Sequence, residues 1–266
     1  MDIVRVLAPN PGPYTGPGTN TYVIHDGESA AILDPGPIIE SHRRAIEHAL
    51  AGLEPQAMIV THNHSDHAPL ANPLAEQLDV PAFGYAAGPD FVPDVMLADG
   101  DEVAVGANRL TAVHTPGHTA DHLCFLAGAE LFTGDHIMGG STVVIEDAAA
   151  YFDSLFKVAA LGAARIRPGH GDAMDDAAAA VAHYIEHRKE RELQIVAAVA
   201  AGASSPREIT EAVYGEVPAE LQPAAAHQVV VQLEKLISEN RLSLGVPGVD
   251  AMRAPEMRVA LPGEGV

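Results

Sequence analysis

Thr61-His62-Asn63-His64-Ser65-Asp66-His67 is the stretch on which the reading of this chain turns. Its three histidines and one aspartate are all metal-ligand types. The apolar run Ala57-Met58-Ile59-Val60 comes directly before it and reads as a buried strand. Pro69 follows, and Leu70, Leu74 and Leu78 then recur at helical spacing. The cluster therefore occupies a turn between a strand and a helix. Such turns carry function in α/β proteins because the sheet fixes the loop ends.

Neutral imidazole and carboxylate suit a divalent ion such as zinc in hydrolytic sites. His62 and His64 are two apart, so in extended backbone they leave the same side. Asp66 and His67 are adjacent and do not easily join both earlier histidines on one small ion. Two ions side by side is the economical reading, with His62 and His64 on one and Asp66 and His67 on the other. Three later segments offer further ligands in the same context. His114-Thr115-Pro116-Gly117-His118 follows the strand-like Arg109–Val113, Leu131-Phe132-Thr133-Gly134-Asp135 ends in an aspartate, and Arg165-Ile166-Arg167-Pro168-Gly169-His170 ends in a histidine. Glycine in such turns lets the backbone bend sharply and approach a ligand. Isolated histidines such as His25, His42 and His48 read as surface or satisfied core residues, and His114 and His122 as neighbours of the ligand motif. For the His62–His67 cluster that reading fails, because buried unpaired polar groups are costly without a metal.

The order HxHxDH, TPGH, GD, PGH resembles the metallo-β-lactamase superfamily of binuclear metallohydrolases. The resemblance covers Thr61 to Gly171 and implies that His62, His64 and His118 bind a first metal. It implies further that Asp66, His67 and His170 bind a second, and that Asp135 bridges them. It also puts Asp34, in Asp34-Pro35-Gly36, behind the metal loop, although the residue read alone is equally a turn aspartate. Two Zn2+ per chain are expected, in ligand sets that manganese and iron also occupy.

Composition narrows the setting. The chain has 266 residues, enough for one large domain and a small one. No apolar run is long enough to cross a bilayer, and Met1-Asp2-Ile3-Val4-Arg5 does not read as a secretory signal. Its one cysteine, Cys124, excludes an internal disulfide framework and reads as a buried apolar side chain. A cytoplasmic protein without membrane contact is expected. The formal net charge of −21 opposes polyphosphate partners unless a local basic groove exists.

Along the chain, strands are expected at Ile3–Leu7, Asn20–Ile24 and Ala30–Leu33, around a Gly/Pro-rich loop from Pro9 to Gly18. An amphipathic helix is expected over 38–50, short β segments over 80–106, and a helix through Tyr151, Leu155, Val158 and Leu161. Periodicity alone gives a mixed α and β class. The resemblance implies an αββα sandwich, two mixed sheets face to face with helices outside, over residues 1–176.

From Ala177 the composition turns helical. Ala178–Ala201 reads as a long helix closed by Gly202. Ser205-Pro206-Arg207-Glu208 is a capping box with proline at the first helical position. A helix from Pro218 to Asn240 and a short strand Arg241–Gly245 complete a winged-helix-like domain over 177–246. Residues 247–266, with Pro247, Gly248, Pro255, Pro262 and Gly263, read as an irregular tail. This appendage and the Thr19-Asn20-Thr21-Tyr22 segment resemble one subgroup, the β-lactamase-like hydrolases with a C-terminal winged helix. Members of that subgroup act as endoribonucleases or as thioesterases on carrier-bound polyketides. The last helix holds one cation, Lys235, against Glu220, Glu234 and Glu239, so a role in homo-oligomerisation or in roofing the active site is expected over nucleic-acid reading.

The expected function is a binuclear zinc hydrolase that turns a metal-bound hydroxide on an ester, thioester or lactone of a small or carrier-bound acyl substrate. Asp66 is expected to be catalytic as well as a ligand, orienting the nucleophile or passing a proton to the leaving group. His136 reads equally as a substrate contact or as a structural residue. A metal-dependent endoribonuclease on single-stranded RNA is the alternative, opposed by the net charge; a β-lactamase and a non-catalytic interaction module rank below it.

Overall fold

The computed structural model describes residues 1–140, 142–244 and 258–262. Ser141, Gly245 and most of the expected tail lie outside the described residues.

Strands β1 (Asp2–Leu7), β2 (Asn20–Asp26), β3 (Ser29–Leu33), β4 (Glu54–Ile59), β5 (Ala82–Gly84) and β6 (Val95–Met96) form one mixed sheet in that order. The second sheet runs β11-β10-β9-β8-β7, with β7 (Glu102–Val105), β8 (Asn108–His114), β9 (Leu123–Ala127), β10 (Glu130–Gly134) and β11 (Arg165–Pro168). Successive side chains of a strand face opposite ways, and here both ways are buried. Tyr22, Ile24, Leu33 and Ile59 meet Leu110, Phe125 and Phe132 between the sheets. The alternate residues Val23, Ile32 and Met58 pack outward on Ile46 of α1 (Glu40–Ala49) and Leu74 of α2 (Ala71–Leu78). Cys124, Leu131 and Ile166 pack on the other outer face, against Tyr151 and Leu155 of α3 (Ala148–Ala160) and Val181 and Tyr184 of α4 (Ala177–Ala200). Burial on both faces explains why these strands read as nearly continuous apolar runs. The result is the αββα sandwich, and Cys124 is fully buried as expected.

Helix α4 has 24 residues, roughly 36 Å at the α-helical rise. Its first half belongs to the sandwich. Ile195 and Val199 in its second half enter a separate core with Ile209 of α5 (Pro206–Tyr214) and Val229, Leu233 and Leu236 of α6 (Gln222–Ser238). The Ser205–Glu208 capping box is present, with Pro206 in the first turn. The helix expected from Pro218 starts later: Ala219–Leu221 is a 3-10 turn, and α6 opens at Gln222 with Pro223 in its first turn, where its missing N–H has no intrahelical partner to lose. The wing pairs β12 (Ser243–Leu244) antiparallel with β13 (Val259–Ala260). Val259, in the segment expected to be irregular, is buried in the same core, so at that point the tail is structured. No helix of the described residues is long and apolar enough to cross a membrane.

A buried ionic knot joins α4 to α6. Glu192, 4 % exposed, accepts from Lys235 Nζ at 2.6 Å and pairs with Arg241. Removing Glu192 takes the buried partner from both cations and leaves them only the more exposed Glu239. Glu192→Ala is expected to lower stability by about 3 kcal/mol, read from the urea midpoint. A change below about 1 kcal/mol, the range of an exposed pair, would refute that role.

Candidate metal centre

Four loops at strand ends deliver the side chains. The turn after β4 carries His62, His64, Asp66 and His67, and the loop after β8 carries His118. Asp135 follows β10, and His170 stands two residues past β11. The loops are tied to each other through the backbone. Leu123 N donates to Thr61 O at 2.8 Å across the two sheets. Gly169 N donates to Gly134 O, and Asn20 N to Gly169 O, each at 2.7 Å. Gly169 permits this approach: a Cβ there would lie 2.6 Å from Asp135 Oδ1 and 2.8 Å from His67 Cε1.

All seven expected ligands come together, in two groups: His62, His64, His118 and Asp135, and Asp66, His67 and His170. Within each group the donor atoms lie within 4.8 Å of one another. Asp135 reaches both groups, with Oδ2 3.7 Å from His118 Nε2 and Oδ1 3.3 and 3.4 Å from His170 and His67 Nε2.

The outward nitrogens decide what faces inward. Asp34 accepts from Thr61 N and Thr61 Oγ1, each at 2.8 Å, and from His67 Nδ1 at 2.9 Å. The Thr61 hydroxyl hydrogen is thereby committed, so its oxygen accepts from His62 Nδ1 at 2.9 Å. His118 Nδ1 donates to Val144 O at 2.6 Å and His170 Nδ1 to Gly18 O at 3.1 Å. Each of these rings, when neutral, therefore turns an Nε2 lone pair toward the centre. The inner nitrogens crowd: His62 Nε2 is 2.9 Å from His64 Nδ1, His118 Nε2 is 3.0 Å from the same atom, and His67 Nε2 is 3.2 Å from His170 Nε2. Asp135 Oδ1 is buried with no hydrogen-bond partner. Acceptors converging in this way call for a cation between them, and the N/O donor set suits a divalent metal.

The charge balance agrees. Burial pushes His62 and His118 below the usual imidazole range, leaving them neutral and free to donate a lone pair. At His170 burial acts in the same direction, but contacts with Asp135 and Asp66 outweigh it and push the pKa up to about 9. At His67 the charges of Asp135, Asp66 and Asp34 likewise overcome burial. With no metal present, the carboxylates draw protons onto these two rings.

Sequence reading left several supports open or unseen. Asp34, in the left-handed region at φ 49°, holds His67 and the metal loop, which settles its place behind them. Thr19 Oγ1 donates to Asp66 Oδ2 at 3.0 Å. His122 accepts from Asp135 N at 3.2 Å and so fixes the backbone of the shared ligand. His136, open between substrate contact and structural residue, is wholly buried against Tyr151 and does not reach the cavity. His114 stacks on Tyr85, with ring centroids 4.2 Å apart. The centre opens into a cavity of about 660 Å3, walled by Tyr14, Val143, Val144, α4 and the segment from Tyr214 to Gln228.

Metal loading must displace protons from His170 and His67, so affinity rises with pH up to about 9 and protons are released on binding. Calorimetry in buffers of different ionisation enthalpy reads that release; its absence at pH 7 would refute the proton-bearing metal-free state. Asp34→Asn removes the charge and leaves one oxygen for the three donors of Thr61 and His67, and is expected to weaken metal binding about 10- to 100-fold in chelator competition.

Comparison with known proteins agrees with this geometry. Residues 14–170 match the Metallo-beta-lactamase superfamily and residues 205–243 the Beta-lactamase associated winged helix domain. The Beta-lactamase-like protein 2 homolog of Caenorhabditis elegans is 34% identical, over 89% of this chain and 84% of its own. An Atrochrysone carboxyl ACP thioesterase of Aspergillus chevalieri is 31% identical, over 92% of this chain and 84% of its own. A beta-lactamase domain protein from Burkholderia ambifaria shares the fold, with TM-score 0.80 and 22% identity over 97% of this chain and 90% of its own. The chain is a hydrolase that belongs to the metallo-β-lactamase superfamily and carries the winged helix domain associated with it.

Proposed function

We propose that the protein hydrolyses acyl thioesters, with a carrier-bound or small acyl group as substrate and two zinc ions held by the seven ligands. The observation that carries this reading is the cavity: it runs from the ligand cluster onto apolar side chains of the helical appendage, Val217, Leu221 and Ala225 among them. At about 660 Å3 it lies in the range of small-molecule sites. The thioesterase name of the Aspergillus relative supports the same class. Two ligand groups that share Asp135 support a pair of ions, and imidazole with carboxylate suits zinc, as it also suits iron and manganese.

Bound divalent metal supplies a Lewis acid for the carbonyl oxygen and lowers the pKa of water. The chain's own residues do the rest. Asp66 is the more open of the two inner carboxylates, with 23 % of its side chain exposed against 9 % for Asp135. It is held well below the usual carboxylate range: burial opposes ionisation, but His67 and His170 outweigh it. Ionised at neutral pH, it accepts the proton of the water that adds to the acyl carbon. As the C–S bond breaks, that proton passes to the departing sulfur. Thr19, bonded to Asp66 Oδ2, keeps the carboxylate aimed. Apolar walls exclude competing water from the acyl chain.

Single-stranded RNA is the second reading, and one observation favours it: Arg188 and Arg191 put cationic groups on the cavity wall of an otherwise acidic chain. Turnover of a thioester panel and of labelled RNA by the metal-loaded protein separates the two. Thioester cleavage is expected, falling at least about 100-fold in Asp66→Ala. Asp66-dependent RNA cleavage with inert thioesters would replace the first reading by the second.

A further inference from the structure

The basic side chains of this chain are almost all matched by acids. Among the described residues, every lysine and arginine lies within 4.0 Å of a carboxylate except Arg188, Arg191 and the exposed Arg258, which bonds Ser204 Oγ at 2.6 Å. With 36 acidic residues against 15 basic ones, the exception is not a shortage of partners. Arg188 and Arg191 stand on α4 and line the cavity that holds the expected metal ligands.

Arg188 is 3 % exposed. Its guanidinium is held by neutral acceptors, Gln228 Oε1 at 3.1 Å and Val143 O at 2.5 Å, and lies over the Tyr151 ring at 4.9 Å, while its Nε is buried without a partner. Arg191 stacks over Tyr214 at 4.7 Å and bonds Gln194 at 2.8 Å. His187, beside both, adds no negative charge: burial, then the two arginines, push it down to about 4, so it stays a neutral imidazole. A buried cation without a counter-ion is expensive. These two are also oriented in advance by aromatic faces and fixed acceptors, as a site for a planar oxyanion needs.

We propose that Arg188 and Arg191 form a subsite for an oxyanion of the substrate, so that the preferred acyl group ends in a second carboxylate. The inference rests on the acyl-hydrolase reading for the identity of the ligand, and on the unmatched charges for the site itself. The apolar lining between the two ends receives the methylenes. A phosphate on a carrier arm is the other source of an oxyanion. The burial of Arg188 favours the acyl end, because a carrier protein stays outside the cavity and keeps its phosphate near the mouth.

Two measurements on the metal-loaded protein test this. In the first, N-acetylcysteamine thioesters of hexanoate and of adipate are compared, and then the same acyl groups on coenzyme A. The adipoyl ester is expected to win in kcat/KM by about tenfold or more, and the preference to fall toward one in Arg191→Gln and in Arg188→Lys, which keeps the charge but not the fork. In the second, calorimetry compares free adipate with hexanoate, so that one carboxylate at the metals is common to both. Tighter adipate binding that depends on Arg191 supports the subsite even if no thioester turns over, which would remove only the thioesterase reading. An Arg191-dependent preference for coenzyme A over N-acetylcysteamine, blind to the acyl end, keeps the oxyanion site but moves its source to the phosphate. Equal binding and equal turnover across all pairs would overturn the subsite. So would RNA cleavage that needs Arg191 without any discrimination between adipate and hexanoate.

Discussion

Lone pairs that point at one another are the constraint on which this structure depends. Four imidazoles have their outer nitrogens committed to Thr61, Asp34, Val144 and Gly18, so in the neutral ring the inner nitrogen can only accept. Two carboxylates reach the same space. Such a cluster is stable only around positive charge, whether protons on His67 and His170 or metal ions. The sandwich meets the geometric half of this demand. Each ligand sits on a loop at a strand end, and backbone bonds between Thr61 and Leu123, and from Asn20 through Gly169 to Gly134, lock the loops of both sheets together. A shift of either sheet would separate the two ligand groups that Asp135 joins.

How much of this was legible in the sequence depended on how local each signal is. The seven ligands sit in short motifs with glycine and proline punctuation, and all seven meet in space. Strands buried on both faces announce themselves as apolar runs, and the Ser205 box is complete within four residues. What stayed hidden is held by partners far apart in the chain. Thr19 meets Asp66 across 47 residues, and Asp34 meets Thr61 across 27. A lone threonine or turn aspartate carries no mark of such a contact. His136 stays open in the sequence between substrate contact and structural support because it directly follows an expected ligand; its ring turns into the core beside Tyr151. The second wing strand was missed because two residues among prolines and glycines show no periodicity; its pairing with Ser243–Leu244 is tertiary.

Net charge was a poor guide to the site for a related reason. A total of −21 describes the surface on average. The cavity wall is set by which face of α4 turns inward. That face carries His187, Arg188 and Arg191, while Glu192, one residue on, turns toward α6 to take Lys235 and Arg241. One helix thus turns Arg188 and Arg191 toward the metal centre and Glu192 into the joint with the winged helix.

The same joint bears on what the appendage is for. A nucleic-acid-reading helix needs free cations on its exposed face. The cation of α6, Lys235, is 11 % exposed, pinned between Glu192 and Glu239, with its ammonium over the Phe152 ring of α3. Gln228 of α6 meanwhile holds Arg188 through its carbonyl and donates its amide to Ile145 O at 2.9 Å, in the segment that walls the cavity. The polar chemistry of this helix is therefore directed inward, to the catalytic unit. If Arg188 holds an oxyanion of the substrate, as proposed above, a change in the α4–α6 joint reaches that subsite through Gln228 before it reaches the metal ligands.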